Sequence, residues 1–133
     1  MSTVEKDDRA KQQAKTQLAS IVEMVEALRA AQDAEDQDAE DEARQAIQED
    51  PLSVQVRGGW HSPSEASEDE EFEILLCTGG PACRIVGELG QWNEPETAQL
   101  EYQDWLTPWE EYPLSPEEEE VVLKYCRCFY FGE

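Results

Sequence analysis

A single histidine, His61, is all that this 133-residue chain offers as a side chain that titrates near neutral pH. It also lacks the phosphate-cradling loops G-x-G-x-x-G and G-x-x-x-x-G-K-[ST], the zinc motif H-E-x-x-H and the nucleophile turn G-x-S-x-G. Carboxylate pairs are too abundant to single out a glycosidase-like site. These absences argue against an enzyme, and neither a catalytic residue nor a cofactor is expected.

Long apolar runs are missing too. Nothing approaches the ~18–20 consecutive apolar residues of a membrane span, and MSTVEKDDRA lacks the basic-then-apolar layout of a secretory signal. The expectation is a cytoplasmic protein that makes no membrane contact. In a reducing cytosol Cys77, Cys83, Cys126 and Cys128 read as free, buried thiols, because C-x5-C and C-x-C do not match the C-x2-4-C knuckle of structural zinc. Asp36 and Asp38 form D-x-D without the glycine or the closing glutamate of a calcium loop. No metal site is expected.

Basic residues are scarce: 10 stand against 32 acids, for a formal net charge of -22. That exceeds the roughly 2–8 units sufficient to keep a small domain soluble. The charge is uneven, with net 0 over residues 1–32 (five acids, five bases), -8 over 33–50 (nine and one) and -14 over 51–133 (eighteen and four). Every Trp, Tyr and Phe lies between Trp60 and Phe131, which places the aromatic core in the second half.

What is present divides the chain. Residues 2–31 contain neither Gly nor Pro, and Ala14, Leu18, Ile21, Val25 and Leu28 recur at steps of four and three, the stripe of an amphipathic helix. The stripe fails at Gln32 and Glu35. Asp38 is a plausible N-cap for a second helix carrying Ala39, Ala43, Ala46 and Ile47, stopped by Pro51. A helical hairpin over residues 1–50 is expected, packed on the domain in preference to forming a coiled-coil dimer arm, although a homodimer stays open.

From Leu52 the period changes to two, giving four strand candidates, Ser53–Trp60, Glu71–Thr78, Cys83–Leu89 and Thr97–Trp105. The short Gly-, Pro- and Asn-containing links make neighbours antiparallel. Alternation puts Val54, Val56, Phe72, Ile74, Leu76, Ile85, Leu89, Leu100 and Tyr102 on a core face, with Gln55, Arg57, Glu71, Glu73, Arg84, Glu88, Gln99 and Glu101 on a wet one. LTPWEEYPL reads as a proline-broken loop across the sheet edge. Ser115-Pro116-Glu117-Glu118 has the layout of a capped helix start, with Val121, Val122, Tyr125 and Phe129 facing inward to an end near Tyr130. The fold class is therefore α+β: an N-terminal helical hairpin, a four-stranded antiparallel sheet and a C-terminal helix, with an acidic domain at 51–133. A fragment starting near Glu49 is expected to keep the sheet.

The acids themselves are the functional signal. Six of them (Glu65, Glu68, Asp69, Glu70, Glu71, Glu73) crowd against the apolar run ILLC, where mutual repulsion costs free energy. Some are neutralised by Arg57 and Arg84. The others form an anionic ridge through Asp33 to Glu42, Glu65 to Glu71, Glu94, Glu96, Glu110, Glu111 and Glu117 to Glu120. Candidate partner-binding residues are Asp36, Asp38, Glu40, Asp41, Glu42, Glu65, Glu68, Asp69, Glu70, Glu71, Glu94, Glu96, Glu110 and Glu111. DNA carries one charge per ~1.7 Å of duplex axis, and proteins grip it through Lys and Arg clefts that a carboxylate-studded surface can also enter. A solvated loop, a salt-adapted surface or an acidic adaptor is the plainer reading of the same charge.

The segments EILLCTGGPACRIVGEL, LEYQDWLTPW and the terminal FYFGE resemble stretches of small acidic proteins encoded by phages and prophages of proteobacteria, a neighbourhood that includes DNA-mimicking anti-CRISPR and anti-restriction inhibitors. The resemblance implies an inhibitor that blocks the DNA-binding cleft of a CRISPR effector or restriction enzyme and does not itself bind nucleic acid. The competing expectation is a non-enzymatic adaptor that engages a protein partner through the helical hairpin.

Overall fold

The computed structural model describes residues 3–58, 63, 69–78, 81–90, 93–104, 108–129 and 131, with Asp69 and residues 3–8 through their backbone. In chain order these form α1 (Thr3–Asp33), α2 (Gln37–Glu49), β1 (Ser53–Gly58), β2 (Asp69–Cys77), β3 (Ala82–Glu88), β4 (Gln99–Gln103), β5 (Glu110–Tyr112) and α3 (Pro116–Cys126). The strands make one antiparallel sheet in sequential order β1-β2-β3-β4-β5. The α+β class and the helical hairpin agree with the sequence expectation. The sheet has a fifth strand where a loop was expected.

That fifth strand is Glu110–Tyr112, which the prolines at 108 and 113 confine to three residues. Leu100 pairs with Tyr112 and Tyr102 with Glu110, so a segment with no apolar alternation of its own takes its conformation from the β4 edge. β3 is shifted by one residue and β4 is shorter than expected, while Gly59 and Trp60 of the expected first strand lie outside the described residues. β2 begins at Asp69, drawing Asp69 and Glu70 out of the expected loop, because Gly58 and Arg57 of β1 pair with Asp69 and Glu71.

The hairpin turn also differs in its cap. Glu35 adopts φ 54, a left-handed conformation that ends α1, and Asp36 follows in extended backbone as the N-cap of α2 in place of Asp38. Its Oδ1 accepts from the Ala39 N–H at 3.2 Å. At α3 the reciprocal box forms as expected: Ser115 Oγ accepts from Glu118 N, and Glu118 Oε1 accepts from Ser115 N. This helix stops at Cys126, short of Tyr130, and Phe131 turns back into the core.

The core holds the two halves of the chain together. Ala14, Leu18, Ile21, Val25 and Leu28 are buried, and they belong to one apolar cluster with Phe72, Ile74, Ile85 and Leu100 of the sheet and Val122 and Tyr125 of α3. α1 contacts α2, α3, β3 and β4. The sequence-derived core face holds along β2, β3 and β4, and Cys83 joins it. Val56, on edge strand β1, stays 38% exposed, and on α2 Ala46 faces solvent while Ile47 is buried. Gly87 opposes Phe72, and a Cβ there would lie 2.8 Å from the Phe72 ring and 2.0 Å from the Thr97 carbonyl oxygen. Glycine is what lets that ring lie across the sheet, where Phe131 packs on it at 5.0 Å between centroids.

Candidate anionic interface

Three structural settings hold the acids. The first is the hairpin turn and the outer face of α2. Asp33, Glu35, Asp36, Asp38, Asp41 and Glu42 are exposed, and among the described residues none of them makes an ion pair. Asp41 accepts a 2.8 Å hydrogen bond from Gln37. Glu40 is different: it is half-buried, 3.0 Å from Arg44 Nη2, and accepts from Gln32 at 3.4 Å. The N-terminal turn of α2 tolerates this density because unpaired backbone N–H groups give it a partial positive charge.

The second setting is the face of the sheet turned away from the helices. Arg84 lies at its centre, with Nη1 2.7 Å from Glu73 Oε2, Nε 2.8 Å from Glu101 Oε1, and its guanidinium 4.2 Å from the centre of the Trp109 ring. Arg57 forms a fork to Glu71 at 3.1 and 3.3 Å, which holds its guanidinium protonated above the usual range. Arg57, Glu71, Glu73, Arg84 and Glu101, with Gln55 and Val86, line a concavity of about 420 Å³. Here charge is largely compensated within the chain, and Glu71 of the sequence-derived set is one of the paired acids.

In the third setting Glu71, already paired with Arg57, meets acids that make no ion pair among the described residues. Glu71, Glu88, Glu111 and Glu119 come from β2, β3, β5 and α3 to line a second concavity of about 310 Å³, together with Thr97, Gln99 and Leu114. None of its lining residues is basic. Glu88 stands directly opposite Glu71 across the β2–β3 ladder, and Glu111 directly opposite Glu101 across β4–β5. Like charges in register oppose sheet formation, so the fold keeps them against their own repulsion.

The remaining candidates are scattered. Glu110 and Glu70 are exposed on β5 and β2. Glu94 lies 3.6 Å from Arg127 Nε, and the Glu96 carboxylate folds over Gly90, where a Cβ would be 2.0 Å from Oε1. Glu65 and Glu68 lie outside the described residues. The structure thus brings Asp36, Asp38, Asp41 and Glu42 into one patch and Glu71 and Glu111 into another. Sequence reasoning placed Glu88 on the wet face without marking it as part of a site. Its signal was positional, two residues beyond Val86 on the alternating face, but only strand register puts it against Glu71.

Burial pushes the Cys83, Cys126 and Cys128 thiols up from their ordinary value, keeping them protonated. Among the described residues no three His, Cys, Asp or Glu side chains converge as a metal site, and no helix is long and apolar enough to cross a membrane. What the arrangement offers is fixed negative charge on rigid elements. No protein family, no curated protein and no solved structure matches this chain.

Proposed function

We propose that this protein is an inhibitor, of the kind phages encode, that occupies the DNA-binding cleft of a CRISPR effector or another DNA-binding defence complex with an acidic, DNA-mimicking surface. The observation that carries this reading is the uncompensated patch on the hairpin turn and α2. Asp38 and the adjacent Asp41 and Glu42 are exposed about one turn apart on a helix that rises ~5.4 Å per turn. Each strand of duplex DNA carries one phosphate per ~3.4 Å of axis, the same order of spacing. The acids of β5 and the first turn of α3 extend the negative surface beyond the hairpin.

The adaptor alternative requires an apolar face on the hairpin. The α1 stripe that would supply it is buried in the chain's own core, and the large apolar side chains exposed among the described residues are Leu52 and Val56, on or beside β1. Exposed charge is therefore the better-supported means of engagement. The decisive experiment is competition: purified CRISPR effector or restriction enzyme is incubated with labelled duplex DNA and increasing amounts of this protein. Displacement of DNA, weakening steeply as ionic strength rises from low to physiological, is the expected result. Partner binding that leaves bound DNA in place, or that ignores salt, overturns the reading.

A further inference from the structure

We propose that Cys77 and Cys83 form a reversible dithiol–disulfide site built into the β2–β3 ladder. The two residues are direct cross-strand partners, and the register shift between Leu75 and Cys77 is what makes them so. In regular alternation Cys77 would point to the sheet face opposite Leu76 and Cys83. A bulge sets two residues of one strand against one of the other, and here Leu76 and Cys77 together oppose Cys83. Cys77 Sγ reaches back to the Pro81 carbonyl oxygen at 4.0 Å, toward the turn that leads into Cys83. Antiparallel partners have Cα atoms about 4.5–5.5 Å apart, inside the roughly 4.4–6.8 Å that a disulfide spans.

The asymmetry of the pair assigns the roles. Cys77 is half-buried and reachable, whereas Cys83 is fully buried. A peroxide oxidises the Cys77 thiolate to sulfenic acid, releasing hydroxide or alkoxide. The Cys83 sulfur then attacks the Cys77 sulfur, the S–S bond forms, and the sulfenic oxygen leaves as water with the Cys83 proton. In sum two thiols and one hydrogen peroxide give one disulfide and two waters, and a dithiol reductant reverses the change. Cys126 and Cys128 are both buried near the end of α3. The accessible member of the Cys77–Cys83 pair makes that pair the first to react.

The sequence makes the test clean. No Lys or Arg lies between Arg57 and Arg84, so trypsin leaves Cys77 and Cys83 in one peptide, 58–84, while cleavage after Lys124 and Arg127 separates Cys126 from Cys128. The full-length reduced protein is titrated with hydrogen peroxide, alkylated, digested and weighed. The expected result is a 58–84 peptide lacking two hydrogens and refractory to alkylation until dithiothreitol is added, with Cys126 and Cys128 still alkylated. In the Cys77→Ser variant, which retains a small side chain at a half-buried position, Cys83 should stay a free thiol at the same peroxide dose. Earlier oxidation of Cys126 or Cys128, accumulation of Cys77 sulfinic acid beside a free Cys83, or unchanged Cys83 oxidation in the variant overturns the proposal.

Discussion

The buried hydroxyl of Tyr125 donates a 2.8 Å hydrogen bond to Oδ2 of Asp50, fastening α3 to the residue that ends α2. Lys124 Nζ to Gln32 Oε1 and Gln48 Nε2 to the Cys128 carbonyl, both 3.0 Å, reinforce the same junction. Tyr125→Phe removes the donor and lets exposed Asp50 return to water, so a loss of about 1–2 kcal/mol is expected. Asp50→Ala leaves the hydroxyl buried without its acceptor and should cost as much or more, about 1–3 kcal/mol. Urea unfolding of the two variants checks the order. A Tyr125→Phe protein clearly less stable than Asp50→Ala contradicts it.

Alkaline pH should destabilise the fold. Tyr125, Cys83, Cys126 and Cys128 are all held above their ordinary values of 10.0 and 9.0, in each case chiefly by burial. The unfolded chain releases these protons near those ordinary values while the folded chain retains them. Stability is therefore full below about pH 9 and falls as pH rises beyond it. Denaturation midpoints at pH 7, 9 and 10.5 test this. A midpoint that holds or rises above pH 9 would count against it.

Arg84 organises the open face of the sheet, and Arg84→Met should be costly. It leaves Glu73 and Glu101 close together without their shared cation and strips Trp109 of its guanidinium, for an expected loss of about 1–3 kcal/mol. Adding Glu101→Gln to that variant should restore part of the loss. A strictly additive double mutant would mean that the pair does not interact.

Glu88→Gln should act in the opposite direction. It relieves the like-charge pairing with Glu71 and is expected to raise stability by about 0.2–0.5 kcal/mol. Reversal of Asp38, Asp41 and Glu42 to Lys should leave the helical circular-dichroism signal in place and weaken displacement of DNA from the partner by tenfold or more, since three charges change sign on one patch. A folded triple variant that still competes fully would remove α2 from the interface.

The fragment starting at Glu49, expected from sequence to keep the sheet, should instead fail to fold cooperatively. Without α1 and α2 the apolar side of β2, β3 and β4 loses the stripe from Ala14 to Leu28 that covers it. A sigmoidal thermal transition in that fragment would show that the second half stands alone.

The α1 stripe, the alternation of β2 through β4 and the Ser115 capping box were readable because each depends on spacing within a few residues. The features that escaped depend on partners far along the chain. Glu110–Tyr112 has strand geometry only because β4 offers it an edge. Asp36 and Asp38 are equivalent as capping residues, and the left-handed turn at Glu35 decides between them. For the acids, composition revealed the excess but not the distribution. Glu71 is paired and Glu88 faces it because of register, and a single-residue slip would exchange the two faces of the strand.

The burial of α1 among β3, β4 and α3 also bears on the order of events during synthesis. This helix is made before the elements it packs on, and α3 follows it by nearly a hundred residues. At about 5–20 residues per second that interval is on the order of 5–20 s. Until β3 and β4 are made the nascent chain carries an apolar stripe that α2 alone can begin to shelter, an opening for chaperones that closes fully when α3 docks.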